Sequence, residues 1–417
     1  MNGSPSITSS PVLFDVRADF PILSARPGGV PLVYLDSAAS SQKPQVVIDA
    51  VSEHFSLHNA NVHRGVYPLA QEADAAFERA RERVARFVGA EEKTTIFTKN
   101  VTEAINLVAY SWGRANVGAG DVVLVTQMEH HANLVPWQVL CKAVGAEPRY
   151  LEVDQHGELS LEQLDGELAG GRVRLLAFAH VSNVLGTINP VAEIAARARA
   201  AGAVTVVDGA QAVPQLPVDV AALDADFYAW TGHKALGPTG VGVLHGRREL
   251  LEEMEPFLTG GDMIASVGFD GATWNELPWK FEAGTPMIAE TVGLGVAVEY
   301  LSALGMERVR EHERTLTSYL LERLESVPGL HVVGPSDAER RGGLASFTVE
   351  GMHPHDIAEI VGRSGVSIRA GHHCAQPLMK CIGVAATARA SVSVYNDRSD
   401  IDALVAALES GREIFGL

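Results

Sequence analysis

Seven lysines occur in the chain, Lys43, Lys93, Lys99, Lys142, Lys234, Lys280 and Lys380, so few amines are available as nucleophiles. Only Lys234 directly follows an apolar run, in DFYAWTGHKALGPTGVG. A loop there opens at the carboxyl end of a strand, the usual place of a ligand crevice in a parallel sheet. The glycines and Pro238 around it suit a turn that holds an amine in place. Upstream, Asp208 ends the run AVTVVD, and Gln211 follows one turn later, so both are expected to face the same crevice. Thr102-Glu103 begins a helical pattern with a hydroxyl and an acid. Each has an ordinary reading alone: a solvated lysine, a capping aspartate, a helix start.

An amine, a carboxylate at the end of a neighbouring strand and a hydroxyl-bearing helix start together meet the needs of pyridoxal phosphate. These are an imine anchor, a partner for the pyridinium nitrogen and a phosphate cradle. Other phosphate motifs are missing: there is no GxxxxGK, and Gly118-Ala119-Gly120 precedes a strand instead of following one. His130-His131, after the run VVLVT, again stands at a carboxyl end. Adjacent imidazoles diverge and make a poor metal pair, so one of them is assigned to stacking on a planar cofactor.

The cysteines are Cys141, Cys374 and Cys381, an odd number without CxxC spacing, so neither a disulfide framework nor a thiolate zinc site is written here. Cys141 falls in the helix pattern WQVLCKAV and reads as core. Cys374 stands in SIRAGHHCAQPLM, a strand ending at Arg369 and then a polar loop, a setting that suits a nucleophile. Zinc on His372, His373, Cys374 and Cys381 is the alternative, although their spacing fits no common site. Arg389, in ATARASVSVYN, is a candidate fork for a substrate carboxylate.

The elements that must position these residues follow from periodicity. From about Thr94 to Gly246, β-branched runs at 122–126, 174–182, 203–210, 226–231 and 241–246 alternate with helical stretches such as Thr102–Trp112 and 191–201, the pattern of a mostly parallel α/β sheet. A helical pattern over 286–327 ends at Pro328-Gly329, and beyond it short strands and the amphipathic stretches 354–363 and 399–411 suggest a smaller α+β domain. The 417 residues exceed one typical core, and 47% hydrophobic with 20% charged residues is ordinary globular usage. With 33 basic against 51 acidic residues the net charge is −18, which disfavours nucleic acid and anionic membrane surfaces as partners. The first segment has no basic region before an apolar core, and no stretch approaches a bilayer span, so a cytoplasmic chain with a Ser/Pro-rich mobile tail is expected.

Taken together, YLDSAASSQKP, NVHRG, TEAINLVA, MEHHANLVPW, HVSNVLGT, VDGAQ, TGHKALGPTGVG, FEAGTP, RAGHHCAQPL and ARASVSVYN resemble the cysteine desulfurases among the class V aminotransferase-like, fold-type I pyridoxal phosphate enzymes. RAGHHCA points to the SUF-type, or group II, SufS-like branch, and the match runs from Tyr34 to Asn396. The resemblance implies an N-terminal tail and arm packing with the small domain (1–34), a large cofactor-binding domain (35–300) and a small C-terminal domain with the cysteine loop (301–417). It implies that Lys234 anchors the cofactor, Asp208 pairs with the pyridinium nitrogen, Gln211 bonds the phenolic oxygen and His130 stacks on the ring with a catalytic role. Thr102, Thr231 and His233 would hold the phosphate beside Glu103, with Thr285 supplied by the second subunit of a homodimer. Asn183 and Arg389 would hold the substrate carboxylate, His63 and Arg369 match further active-site positions, and Cys374 would accept sulfur. Thr231 stands where serine is common in the family, and Met287 follows GTP where Asn or Pro is frequent.

The implied reaction turns L-cysteine into L-alanine and leaves a persulfide on Cys374, with no metal, supplying iron–sulfur cluster assembly through SUF scaffold proteins. A SufE-like or zinc-bearing SufU-like acceptor would take the sulfur, and His355 matches a position that meets the zinc in the SufU branch. The competing readings are a selenocysteine lyase acting on L-selenocysteine, another aminotransferase or lyase of the same fold, and a zinc-binding carrier built on the HHC cluster. An aminotransferase has no use for a loop cysteine, and a zinc carrier leaves the Lys234 and Asp208 arrangement unexplained.

Overall fold

The computed structural model describes residues 14–417, so the expected tail over the first dozen residues lies outside it. Seven strands form the main sheet in the spatial order Thr95–Thr98, Gly242–Gly246, Phe227–Thr231, Val204–Asp208, Val173–Ala179, Val122–Thr126 and Glu147–Leu151. Gly242–Gly246 runs antiparallel to both neighbours, and the five strands beyond it pair in parallel. Val122–Thr126 and Phe227–Thr231 are buried at every residue, as expected for strands covered on both faces. Alternation sends Leu124, Phe178 and Trp230 into one apolar core and Val125, Ala177 and Ala229 into the other.

A second sheet is antiparallel throughout, ordered Leu330–Val333, Leu344–Val349, Thr387–Ser391 and Arg369–Gly371. Its core joins Phe347 and Ala390 to Leu320, Ile357 and Leu404 of three helices, Met306–Glu325, Pro354–Arg363 and Arg398–Phe415. The N-terminal arm feeds this sheet region. Val33–Tyr34 pairs in parallel with Val366–Ser367, and Leu35 is buried in the same core.

Three expectations about elements need correction. The pattern over 286–327 is two helices, Ile288–Leu304 and Met306–Glu325, bent by 76°. Gly305 between them has φ +83°, which ends a helix without breaking the apolar pattern that runs through it. The helix assigned to Thr102–Trp112 is α-helical only over Val101–Val108 and widens into a π turn at Ala109–Gly113. Asn100, and not Thr102, caps it, by accepting the Glu103 N–H at 3.0 Å. The residues after Asp208 form turns, so Gln211 reaches the crevice from a loop. Among the described residues no single helix is long and apolar enough to cross a membrane.

A buried ion pair ties the loop before Thr285 to the edge strand Thr95–Thr98 of the main sheet. Glu282 takes two bonds from Arg81, at 2.7 and 2.8 Å, and one from the Phe97 N–H at 2.7 Å. Arg81 also bonds Glu78 and the Thr95 carbonyl. Removing one partner strands a buried charge at a cost of roughly 3–5 kcal/mol. Because Glu78 remains beside Arg81, Glu282→Ala is expected near the lower end, about 3 kcal/mol, read as a lower urea midpoint at constant slope. An unchanged midpoint would show that the pair holds nothing.

Candidate active site

The carboxyl ends of the parallel strands open on a cavity of about 210 Å³. Lys234 reaches it from the single turn Gly232–Lys234 that closes the Phe227–Thr231 strand. Burial lowers its amine to about 8, with the Asp208 carboxylate opposing the shift. A neutral amine is therefore within reach near neutral pH. Asp208, on the adjacent strand, is buried, and burial raises its carboxyl against the Ala210 N–H, which it accepts at 2.9 Å, and against Lys234. The strands that carry the amine and the carboxylate are thus hydrogen-bonded neighbours.

His130 lines the same cavity from the loop after Val122–Thr126. Its Nδ1 accepts the Ala132 N–H at 3.0 Å, so in the neutral ring the proton sits on Nε2. Burial first, then Lys234, holds this imidazole down to about 3, so it is uncharged. An uncharged ring at a cavity wall is suited to stacking on an aromatic ligand. Glu129, the residue before it, is buried and accepts from Thr126 at 2.5 Å, Asn133 at 2.6 Å and the Ala179 N–H at 2.8 Å. Burial raises its carboxyl to about 8.

The amino end of the Val101–Val108 helix puts Thr102 on the wall of the cavity that Thr231 and His233 also line. Burial lowers His233 to about 4. Hydroxyls and helix-start N–H groups at one point make an anion cradle. Arg369 and Arg389 line the cavity too, and Asp36 lies within ion-pair distance of both. Arg389 is buried, donates to the Asn183 carbonyl at 2.8 Å and stands 3.4 Å from Asp36, whose other oxygen lies 3.5 Å from Arg369.

Cys374 is exposed, in the loop after Arg369–Gly371, and it lines two spaces at once. One is the inner cavity with Lys234. The other is an apolar groove of about 460 Å³ bounded by Tyr110, His131, Val135 and Val139. Its loop is strained: His373 and Cys374 have φ +52° and +55°, a left-handed conformation costing a non-glycine residue about 1–2 kcal/mol. Two side chains and one backbone N–H, from Asn183 and His131, hold it there. The Asn183 amide donates to the His373 carbonyl at 2.7 Å, the His131 N–H donates to the Cys374 carbonyl at 2.7 Å, and His131 Nε2 accepts the Gln376 N–H at 3.1 Å.

Three sequence candidates lie elsewhere in this chain. His63 (φ +72°) packs edge-on to Phe77 and Trp279 with its Nε2 3.5 Å from Glu78, which raises the imidazole. Glu103 turns back to accept the Lys99 N–H at 3.1 Å, completing the helix start instead of facing the cavity. Thr285 is exposed and does not line the cavity of its own chain. Asn183 lines it but spends an amide hydrogen on His373, so part of its work is to hold the cysteine loop. Cys141 is buried, and burial pushes its thiol up to about 11. Among the described residues no group of three or more His, Cys, Asp or Glu side chains is arranged to hold a metal ion. Sequence reasoning passed over Asp36 and Glu129, although an acid directly after the run VYL and one beside His130 were both visible.

The lining residues fit a phosphorylated aromatic cofactor together with a carboxylated substrate. Gln211 Oε1, Thr231 Oγ1 and Arg389 Nε are buried without a protein partner, and all three residues line the cavity. Buried polar atoms are rarely left so, and a phosphate, a protonated linkage and a carboxylate would satisfy them.

The class-V aminotransferase family profile matches residues 33–404. A cysteine desulfurase of Haloferax volcanii is 49% identical over 422 residues, covering 98% of this chain and 99% of its own. The crystal structure of the cysteine desulfurase CsdA of Escherichia coli, in an S-sulfonic acid form, superposes with a TM-score of 0.88 at 40% identity, covering 95% of this chain and 98% of the other. A mutant of the protein C-DES, with glycine covalently linked to its pyridoxal phosphate cofactor, matches with a TM-score of 0.81 at 25% identity over 94% of this chain and 98% of that one.

Proposed function

This chain belongs to the class-V aminotransferase family and is a pyridoxal-phosphate-dependent cysteine desulfurase, and from that premise we propose that it is SUF-type, passing sulfur from Cys374 to an acceptor for iron–sulfur cluster assembly. The observation that carries the reading is the position of Cys374, which lines the cavity of Lys234 and an outward-facing groove together. A thiol so placed can take sulfur inside and present it outside.

Lys234 would hold the cofactor, Asp208 its ring nitrogen, His130 its ring face, and Thr102, Thr231 and His233 its phosphate. Bound there, pyridoxal phosphate supplies an electron sink that acidifies the Cα–H of an amino acid. The protein does the rest. Arg389 takes the carboxylate of L-cysteine through its free Nε edge, and Arg369, tethered by Asp36, adds charge on the open side. Lys234, whose amine burial lowers to about 8, would serve as the base for the Cα proton. The Cys374 sulfur then attacks the substrate sulfur. The S–S bond forms as the Cβ–S bond breaks, the electron pair stays with carbon, and protonation there gives the methyl group of alanine while Cys374 keeps the persulfide.

We also assign a homodimer. Phe55, Leu57, Val66 and Phe269 are exposed apolar side chains of the kind a second copy covers, and Thr285 stands free to reach the partner's phosphate. His355 is exposed in the first turn of Pro354–Arg363, open to an acceptor. The deciding measurement is sulfide and alanine release from L-cysteine with and without SufE-like and SufU-like acceptors. Stimulation by one of them is expected. Turnover indifferent to both would remove the SUF assignment and leave the desulfurase.

Asp208→Asn keeps the side-chain volume but loses one charge-assisted hydrogen bond of roughly 1.5–3 kcal/mol, so alanine release should slow about tenfold to hundredfold at saturating cofactor. Unchanged kinetics would sink the ring-nitrogen role.

A further inference from the structure

Four donors converge on one backbone oxygen. The carbonyl of His233, in the peptide that leads into Lys234, accepts from Lys43 Nζ at 2.8 Å, the Ser41 N–H at 3.0 Å, Ser41 Oγ at 3.1 Å and Ser40 Oγ at 3.2 Å. Ser41 Oγ also accepts the Leu236 N–H at 2.9 Å, on the far side of Lys234, where Leu236 itself is left-handed at φ +59°. The segment Ser40–Lys43 therefore grips the turn on both sides of the reacting lysine. A carbonyl ordinarily accepts one or two bonds, and nothing in the helix or sheet ladders needs this one.

Lys43 is the costly member of the group. Burying an ammonium disfavours its charged form, and burial lowers this amine to about 7. Its hydrogen-bond acceptors are all uncharged, the carbonyls of Ser41 and His233 and the Ser41 hydroxyl. A lysine kept for solubility or for an ion pair would not be placed so.

The segment is itself fixed from the other domain. Tyr34 donates to the Ser40 carbonyl at 2.7 Å, the Gln42 N–H donates to Tyr395 at 3.1 Å, and the Ala38 N–H donates to Ser391 at 2.9 Å. Ala38 and Ala39, just before it, line the cavity. A path of direct contacts thus runs from the small sheet through Ser391 and Tyr395 to the backbone of Lys234.

We propose that Lys43 is a positioning residue for the reaction, its amine fixing the His233 peptide and thereby the direction from which the Lys234 amine enters the cavity. This rests on the reading of Lys234 as the cofactor anchor. Displacement of a reacting group by about 1 Å costs up to about a hundredfold in rate, and binding of a substrate held by Arg389 is little affected by it.

The test compares Lys43→Met, which keeps the length and loses the donor, with Lys43→Arg, which keeps donors, in the holoenzyme. Lys43→Met is expected to lower kcat for alanine release about tenfold to hundredfold with KM within about twofold. It should also weaken or shift the visible cofactor band and speed cofactor loss on dialysis. Lys43→Arg should recover kcat to within about threefold and restore the band. If Lys43→Met does not fold, Ser41→Ala, which removes a donor to the same oxygen and the acceptor of Leu236, must show the same split between kcat and KM. A parental band, parental cofactor retention and parental kcat in folded Lys43→Met would overturn the proposal. So would lowered melting temperatures of apo- and holoprotein with an unchanged band and kcat, since that is a structural role alone. The unmutated protein separates the two readings: if borohydride leaves no reduced cofactor on the Lys234 peptide, the anchor assignment fails first, and if it does, the variants judge Lys43 alone.

Discussion

Lys234→Ala is expected to abolish conversion of L-cysteine to alanine, by at least about a thousandfold, while the protein stays folded. The size follows from losing two roles at once, covalent hold on the cofactor and the base for the Cα proton, the second alone worth roughly 10²–10⁴. Folding should survive because the amine opens on the cavity, and the turn around it is held through the His233 carbonyl and the Leu236 N–H, neither of which the substitution touches. Lys43 cannot substitute, since its amine is committed to backbone oxygens and does not line the cavity. The check is absorbance of the purified variant with added cofactor, alanine release, and peptide mapping after borohydride. A parental visible band with near-normal turnover would overturn the assignment, and a reduced adduct on the Lys43 peptide would show a replacement amine.

What could be read from the sequence was what lies at strand ends. Apolar runs fix strands, strands fix a crevice at their carboxyl ends, and Asp208, Lys234 and His130 each stand at or just after the end of such a run, so one rule places all three, whereas Asn183 came only through the family resemblance. Asp36 and Lys43 escaped because their work is done on partners far along the chain. Asp36 meets Arg389 across 353 residues and Lys43 meets His233 across 190, and no local pattern carries such pairings. Glu103 misled in the opposite way. It sits in a motif with Thr102, but successive residues of a helix point in different directions, and its carboxylate is spent on Lys99. The bend at Gly305 was hidden because apolar residues continue on both sides of it, and the period does not reveal that one glycine has left helical space.

Cys374→Ser separates this enzyme from every aminotransferase built on the same sheet. Serine is nearly isosteric and has the same backbone preferences, so the left-handed pair His373–Cys374 should keep its geometry under the same restraints from Asn183, His131 and Thr387. Cofactor binding and recognition of L-cysteine by Arg389 should be unaltered, because neither uses the thiol. Sulfur transfer should cease, because a hydroxyl is a poor nucleophile toward sulfur and cannot carry a sulfane atom. Alanine release should fall below about 1% of the parent rate, a loss of about 2.7 kcal/mol or more in transition-state stabilisation. Mass spectrometry of the unmutated protein after L-cysteine should find one added sulfur on the peptide containing Cys374 and none on those of Cys141 or Cys381. Cys141 is buried with its thiol raised to about 11, and Cys381, though exposed, does not line the cavity of Lys234. An adduct on either of those, or full turnover by the serine variant, would mean that sulfur leaves the substrate by another route, and the two-faced position of Cys374 would then have no part in the reaction.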